Sequence, residues 1–307
     1  MTSQGNSARS KHVARPIPDF LIIGAQRSGT SWLNKNLGIH PQIWMPPFKE
    51  IHHFDADVFP KRLKRSRYIR QFRRRFIQAN RKAVKLDKRL ISDLRWDAHY
   101  FFGKRTNDWY VNIFRPKPGQ IAGEATPAYA TLKLEKIKEI HDINPHVKII
   151  YQLRDPIERT WSHVTKDLAK RKNRMLSEVS DEEIVAMFES SDVVIRSNYV
   201  QSLERWESVF PPEQFLITFF EEVIKRPKQS LLGFHQFLSV DSSEEYISPE
   251  IREKVNPAGK FKSPIPPRFQ VFLAEQCIDQ IRKLNNRFGT PTDQWLHRAK
   301  NILTQKP

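Results

Sequence analysis

The sequence predicts an α/β fold: one domain over residues 18–307, built on a central parallel sheet with helices on both faces. Three observations predict it. Short apolar runs recur along the chain, each is followed by a turn or cap signal, and each turn opens into a segment of helical period. With 39% hydrophobic and 11% aromatic residues, the chain can fill the core that such a sheet needs.

Residues 1–17 are polar and basic, are punctuated by prolines, and read as a disordered tail. They contain no apolar stretch of signal-peptide length, and Phe20-Leu21-Ile22-Ile23 is too short to cross a membrane, so the chain is expected to be soluble and cytoplasmic. Asp19 to Ile23 reads as a buried strand, Gly24 to Gly29 as a turn, and Thr30 to Leu37 as a helix with Leu33 and Leu37 on one side. Gln120 to Glu124 forms a second candidate strand and Leu132 to Ile143 a helix. His146 to Leu153 is another apolar strand, and Asp155-Pro156 then pairs an N-cap residue with proline at the first helical position. A helix over Tyr199 to Phe210, a strand over Gln214 to Phe220, a helix over Pro227 to Leu238 and a Pro-rich, then helical stretch from Pro264 to Arg287 complete the alternation. Alternation of this kind argues for parallel strands. Cys277 is the only cysteine, so no intramolecular disulfide can form, and no Cys/His group has zinc spacing; no metal is expected.

Residues 58–112 stand apart as a basic helical insertion. Ile69, Phe72, Phe76, Ala79, Ala83, Leu86, Leu90 and Leu94 recur at steps of three and four, which predicts an amphipathic helix. Lys61 to Arg89 contributes +13 of the chain's net +18. So local a charge is either the solvated face of a packed helix or a surface for an anionic or membrane-associated partner. No helix-turn-helix, zinc or single-strand-binding motif accompanies it, and no nucleic acid is expected. The sequence sets no oligomeric state.

The loop Gly24-Ala25-Gln26-Arg27-Ser28-Gly29-Thr30-Ser31 has the build of a phosphate-binding turn. Glycines permit the tight turn, successive N–H groups converge, and the helix N-terminus adds positive potential. The nucleotide-kinase version places Lys before the final Ser/Thr. Thr30 stands there instead, and the strand ending at Leu153 is followed by Arg154 where a magnesium-binding acid would be sought. These residues suit an anion held by cations and amides, and they lower the claim of a nucleotide-kinase-like enzyme.

On these residues the chain resembles the PAPS-dependent sulfotransferases (PAPS, 3′-phosphoadenosine 5′-phosphosulfate). Gln26 to Leu33 looks like the family's 5′-phosphosulfate loop, and Arg154-Asp155-Pro156-Ile157-Glu158-Arg159-Thr160-Trp161-Ser162 like its 3′-phosphate motif. The similarity continues through Tyr199 to Trp206 and Phe220 to Leu238. The resemblance implies a single α/β domain with a P-loop-like phosphosulfate loop, PAPS as donor, PAP (3′-phosphoadenosine 5′-phosphate) as product, and no metal. It implies that Arg27 neutralises the bridging oxygen as the sulfuryl group leaves. Ser28, Gly29, Thr30 and Ser31 would cradle the 5′-phosphosulfate. Arg154 and Ser162, returning to one helix face through Arg159, would hold the 3′-phosphate, with Lys260 in a late basic loop as a further contact. Trp32 matches the position that stacks on adenine; a core tryptophan is the alternative.

Phe48-Lys49-Glu50-Ile51-His52-His53-Phe54-Asp55 resembles the K-E-x-H-F-F-D segment of heparan-sulfate-type and bacterial carbohydrate sulfotransferases. By position Glu50 is the base that takes the acceptor's proton, His52 its helper, Asp55 the supporting acid and His53 a packing residue, with Lys49 near the donor anion. The competing reading makes His52 or His53 the base, as in the small-molecule branch. In Gly123-Glu124-Ala125-Thr126-Pro127-Ala128-Tyr129 the family's usual Lys is Ala125, so any contact from that Lys is missing. The expected acceptor is a hydroxyl of a carbohydrate or glycoconjugate; a small hydroxylated metabolite or a lipid is the alternative.

Overall fold

The computed structural model describes residues 17–56, 88–169, 176–253 and 264–305, with side chains from residue 93 onward in the second segment. Lys61 to Lys85, which carry most of the basic stretch, and the candidate donor contact Lys260 lie outside the described residues.

The elements follow in the order β1 (Phe20–Gly24), α1 (Thr30–Leu37), β2 (Ile43–Trp44), α2 (Lys88–Phe102), α3 (Asn107–Val111), β3 (Ile121–Ala125), α4 (Leu134–Ile143), β4 (Lys148–Leu153) and α5 (Pro156–Asp167). Then come α6 (Asp181–Glu189), α7 (Ser191–Ser197), α8 (Tyr199–Glu207), β5 (Phe215–Phe219), α9 (Phe220–Lys225), α10 (Pro227–Leu238), α11 (Pro267–Phe288) and α12 (Thr290–Thr304). The strands form one sheet in the order β2-β3-β1-β4-β5, and every pairing is parallel. No helix among the described residues is long and apolar enough to cross a membrane.

β1 lies at the centre and is buried along its whole length. Its side chains alternate between the two faces, as strand geometry requires. Leu21 and Ile23 enter the larger core with Ile157, Trp161, Leu203, Trp206 and Leu273. Phe20 and Ile22 enter the smaller one, with Leu33 and Leu37 of α1 and Leu231, Phe234 and Leu238 of α10. Each such side chain contributes about 1.5–3 kcal/mol on leaving water. Opposite Phe20 in β3 stands Gly123, where an added Cβ would come within 2.4–2.5 Å of the Phe20 ring. Glycine there lets the phenyl ring lie across the neighbouring strand.

The described part of 58–112 corrects the expected helical phase. Leu94, expected on the apolar face, is 41% exposed, whereas Trp96 and Tyr100 are buried. These two rings stack 5.0 Å apart and join Trp109, Tyr110 and Phe114 in the larger core. Aromatic side chains remove more apolar surface from water than leucine does, so they set the buried face. Beyond the smaller core, the fully buried His235 lies edge-on to His40, with ring centroids 4.6 Å apart. His40 in turn meets Tyr246 and the carbonyl of Asp241.

Candidate active site

The C-terminal ends of β1, β3 and β4 place three loops side by side. In an open parallel sheet this is the edge where ligands bind. The loop after β1 is tied to β4: Ala25 N–H donates to the carbonyl of Gln152 at 2.7 Å, and the Gln152 side-chain amide donates to the carbonyl of Ser28. Gly29 caps α1 at φ 82°, and an added Cβ would meet Gln152 and the Phe220 ring at 3.0 Å. The first turn of α1 contains no acidic residue, so its amide end is left positive.

Cations converge here. Arg27, itself at φ 71°, donates from Nε to Ser162 Oγ at 3.0 Å and to the Ser162 carbonyl at 3.1 Å. Burial, with Arg154 and Arg159 nearby, lowers the Arg27 pKa. Arg154 donates to the carbonyl of Arg27 at 3.0 Å, pairs with Glu158 at 3.3 Å and lies over the Phe220 ring at 4.9 Å. The sequence reading assigned Arg27 and Ser162 to opposite ends of the donor; the structure brings them into contact. Ser162 is half-buried, but Arg159, expected on the same face, is wholly buried and donates to Ser197 Oγ and the carbonyl of Val193. Its long side chain reaches α7 instead of the donor loops.

Asp155 is the expected N-cap, accepting from Ile157 N–H at 2.9 Å. It does a second thing that the sequence did not reveal. Arg298, from α12, donates to Asp155 Oδ2 at 3.2 Å and to Glu158 Oε1 at 2.7 Å. Burial pushes the Asp155 carboxyl up to about 6, with Arg298 opposing the rise. The helical spacing of Trp295, Leu296, Ala299, Ile302 and Leu303 after Gly289 could have announced α12. Its reach back to α5 has no local signal.

The segment 48–55 runs beside the loop. Lys49 Nζ donates to Thr30 Oγ1 at 2.9 Å and Ser31 Oγ at 3.1 Å, and lies 3.9 Å from Glu50 Oε1. Glu50 and His52 both have positive φ, 67° and 55°, and Glu50 N–H is held by the Ala125 carbonyl at 3.0 Å. Non-glycine residues in this region carry strain, which the surroundings must offset. The result is a line of three groups: Glu50 Oε2 lies 3.4 Å from His52 Nε2, and His52 Nδ1 lies 2.6 Å from Asp55 Oδ2. Burial acts to lower the His52 pKa, but bonding to Asp55 and Glu50 outweighs it and raises it. His53 stacks on Tyr110 at 4.8 Å, its Nε2 lies 3.0 Å from Asn107 Oδ1, and burial lowers its pKa. The Glu50 carboxylate, one-third exposed, can accept a proton from a group approaching from solvent.

Beneath this line sits Glu124, fully buried at the end of β3. Tyr110 donates to its Oε1 at 2.7 Å and Thr126 to its Oε2 at 2.6 Å. Burial raises its pKa, with the hydrogen bonds from Thr126 and Tyr110 opposing. Trp32 anchors its indole N–H on the carbonyl of Ile251 at 2.8 Å and packs at the margin of the smaller core. Among the described residues no three His, Cys, Asp or Glu side chains converge as metal ligands.

Residues 17–255 match the sulfotransferase domain family. Heparan sulfate glucosamine 3-O-sulfotransferase 5 of Mus musculus is 24% identical over 247 residues, 77% of this chain and 59% of that protein. Heparan sulfate glucosamine 3-O-sulfotransferase 3B1 of Homo sapiens is 25% identical over 231 residues, 74% of this chain and 47% of that protein. The chain thus spans less than two thirds of these curated relatives. A sulfotransferase from Alicyclobacillus acidocaldarius shares the fold, with TM-score 0.53 and 21% identity over 95% of this chain and 97% of that one. The sulfotransferase domain of the Synechococcus PCC 7002 olefin synthase does so at TM-score 0.51 and 16% identity, over 85% and 94% of the two chains.

Proposed function

The chain belongs to the sulfotransferase domain family, and from that premise we propose that it transfers a sulfuryl group from PAPS to a hydroxyl of a carbohydrate or glycoconjugate. The family implies PAPS as donor. The observation that carries the proposal is the Glu50–His52–Asp55 line set beside Lys49 and the hydroxyls of the first turn of α1. The carbohydrate acceptor rests on the relatives, which act on heparan sulfate glucosamine.

In this reading the acceptor O–H loses its proton to Glu50 while its oxygen bonds to sulfur. The sulfur–oxygen bond to the 5′-phosphate breaks, the electron pair stays on that phosphate, and PAP leaves. His52, held by Asp55, orients Glu50 and steadies its charge. The loop amides from Ser28 to Ser31 hold the 5′ end, Arg154 and Ser162 the 3′-phosphate, and Trp32 offers its ring to adenine.

The test is single-turnover transfer at saturating PAPS, with a glucosamine-containing oligosaccharide as acceptor. Glu50→Gln keeps the side-chain size and removes the proton acceptor. Loss of a general base lowers the rate about 10²- to 10⁴-fold, and PAP affinity should persist. A Glu50→Gln rate near wild type, with His52→Asn or His53→Asn inactive, makes a histidine the base. Stabilisation by Mg·ATP and not by PAP overturns the donor.

A further inference from the structure

Resting on the sulfuryl-transfer reading, with Arg154 at the donor's 3′-phosphate, we propose that Arg298 of α12 is a positioning residue for that phosphate: it offsets the acids at the start of α5 and so leaves Arg154 to the donor. The start of α5 is otherwise a poor place for an anion. A helix N-terminus attracts negative charge through its amides. Yet α5 opens with Asp155 as its cap and Glu158 in its first turn, whereas the first turn of α1 has no acid. Glu221 adds a third carboxyl, accepting from the Asp155 N–H at 3.1 Å. Among the described residues, Arg154 and Arg298 are the cations paired with Asp155 and Glu158. Arg154 alone is outnumbered, and Arg298 supplies the missing charge.

Geometry divides Glu158 between the two arginines. Its Oε1 accepts from Arg298 at 2.7 Å and its Oε2 from Arg154 at 3.3 Å. Charge-assisted N–H···O bonds run about 2.7–2.9 Å, so Arg298 holds the carboxylate and Arg154 touches it loosely. The looser bond is the one that a phosphate can replace. The same Arg298 nitrogen donates to Asp155 Oδ2 at 3.2 Å, so one side chain serves both acids. Arg298 is itself fixed from behind. Trp295, one turn earlier, is 2% exposed and packs on Phe219 of β5 with ring centroids 5.7 Å apart. Asn285 of α11 donates to Thr292 Oγ1 at 3.2 Å and to Asp293 Oδ1 at 2.7 Å, which ties down the start of α12. α12 lies beyond residue 255, where the match to the sulfotransferase domain family ends, so this residue comes to the donor site from outside the matched segment.

The experiment measures binding of PAP and of adenosine 5′-monophosphate by calorimetry in wild type, Arg298→Lys, Arg298→Gln and Glu158→Gln/Arg298→Gln. The two single variants both lose the guanidinium fork and differ in charge. Arg298→Gln should weaken PAP binding about three- to tenfold, the scale of one charge acting across a partly exposed site; Arg298→Lys should weaken it less. Adenosine 5′-monophosphate lacks the 3′-phosphate, so its affinity should hold in both. In the double variant the carboxylate is gone as well, and PAP affinity should return to within about twofold of wild type, the coupling expected of groups in contact. Equal loss of both ligands in Arg298→Gln marks a general loosening of the fold and overturns the proposal. So does wild-type PAP affinity in Arg298→Gln, or a loss that Glu158→Gln does not restore. If Arg298→Gln does not fold, the double variant decides: PAP affinity near wild type supports the proposal, and a loss of about tenfold overturns it. The comparison needs no acceptor, so a wrong acceptor leaves it intact. A wild-type protein that does not bind PAP overturns the donor reading, and this inference with it.

Discussion

Replacing Arg298 with methionine removes the contact by which α12 reaches the start of α5. Two hydrogen bonds disappear, to Asp155 Oδ2 at 3.2 Å and to Glu158 Oε1 at 2.7 Å. Charge-assisted bonds contribute about 1.5–3 kcal/mol each, and stripping one partner from a buried pair costs about 3–5 kcal/mol. The Arg298 side chain is 34% exposed and Asp155 only 5%, so water offsets part of the loss on one side and little on the other. About 2 kcal/mol is the expected cost at pH 8. The sign with pH follows from Asp155, whose folded pKa of about 6 lies above its ordinary value of 3.8. A carboxyl raised in this way favours the fold at low pH, and that advantage is lost as pH rises through 6. Arg298 limits the loss, so Arg298→Met should cost less at pH 5, where Asp155 is already largely protonated, than at pH 8. Urea denaturation at both pH values measures this, and a double-mutant cycle with Asp155→Asn should show coupling of about 1 kcal/mol or more. PAP affinity should fall several-fold, because Arg154 adjoins the loosened cap. Equal costs at the two pH values, or strictly additive mutants, would refute the reasoning.

Two further outcomes are expected. Arg154→Ala should weaken PAP binding about 10- to 100-fold, as loss of a charge-assisted hydrogen bond does, while the rate at saturating PAPS changes little, since the 3′-phosphate contact is made in ground and transition states alike; calorimetry and single-turnover kinetics check both, and a collapsed rate with intact affinity contradicts the role. His235 is held neutral, its pKa pushed down to about 4 by burial and by His40. The unfolded chain takes up that proton near pH 6.5, so stability should fall as pH drops from 6.5 to 4, by up to about 3 kcal/mol. His235→Leu should flatten this slope in urea titrations, and an unchanged slope counts against the assignment.

The elements that position the donor loops were legible because their signals are local. Phe20 to Ile23 and His146 to Leu153 are apolar runs of strand length, and Asp155-Pro156 and Pro227 mark helix starts where the structure has them. Ser28 to Ser31 and Lys49 to Asp55 were legible as motifs, and the structure brings both segments to one site. What escaped depends on contacts between distant residues. Arg27 meets Ser162 across 135 positions and Arg298 meets Asp155 across 143. The phase of α2 escaped because Leu94 and Trp96 are both apolar, and Trp96 is buried through partners distant in sequence: Phe48 packs on its ring and its indole N–H donates to the carbonyl of Ile113. Glu124 reads in sequence as one more charged residue. Its burial follows from Tyr110 and Thr126, which a pattern of spacing does not single out.

The central place of β1 bears on how the chain is made. Of the five described strands β1 comes first in the chain, yet its two neighbours are residues 121–125 and 148–153. Until they emerge, an apolar Phe-Leu-Ile-Ile stretch has neither edge paired. Pairings so distant in sequence form slowly, because a long loop must close before any bond rewards it. A nascent chain stalled before residue 148 would therefore display a sticky, unpaired strand. Chaperone demand during synthesis should fall only once β4 is available to cover it.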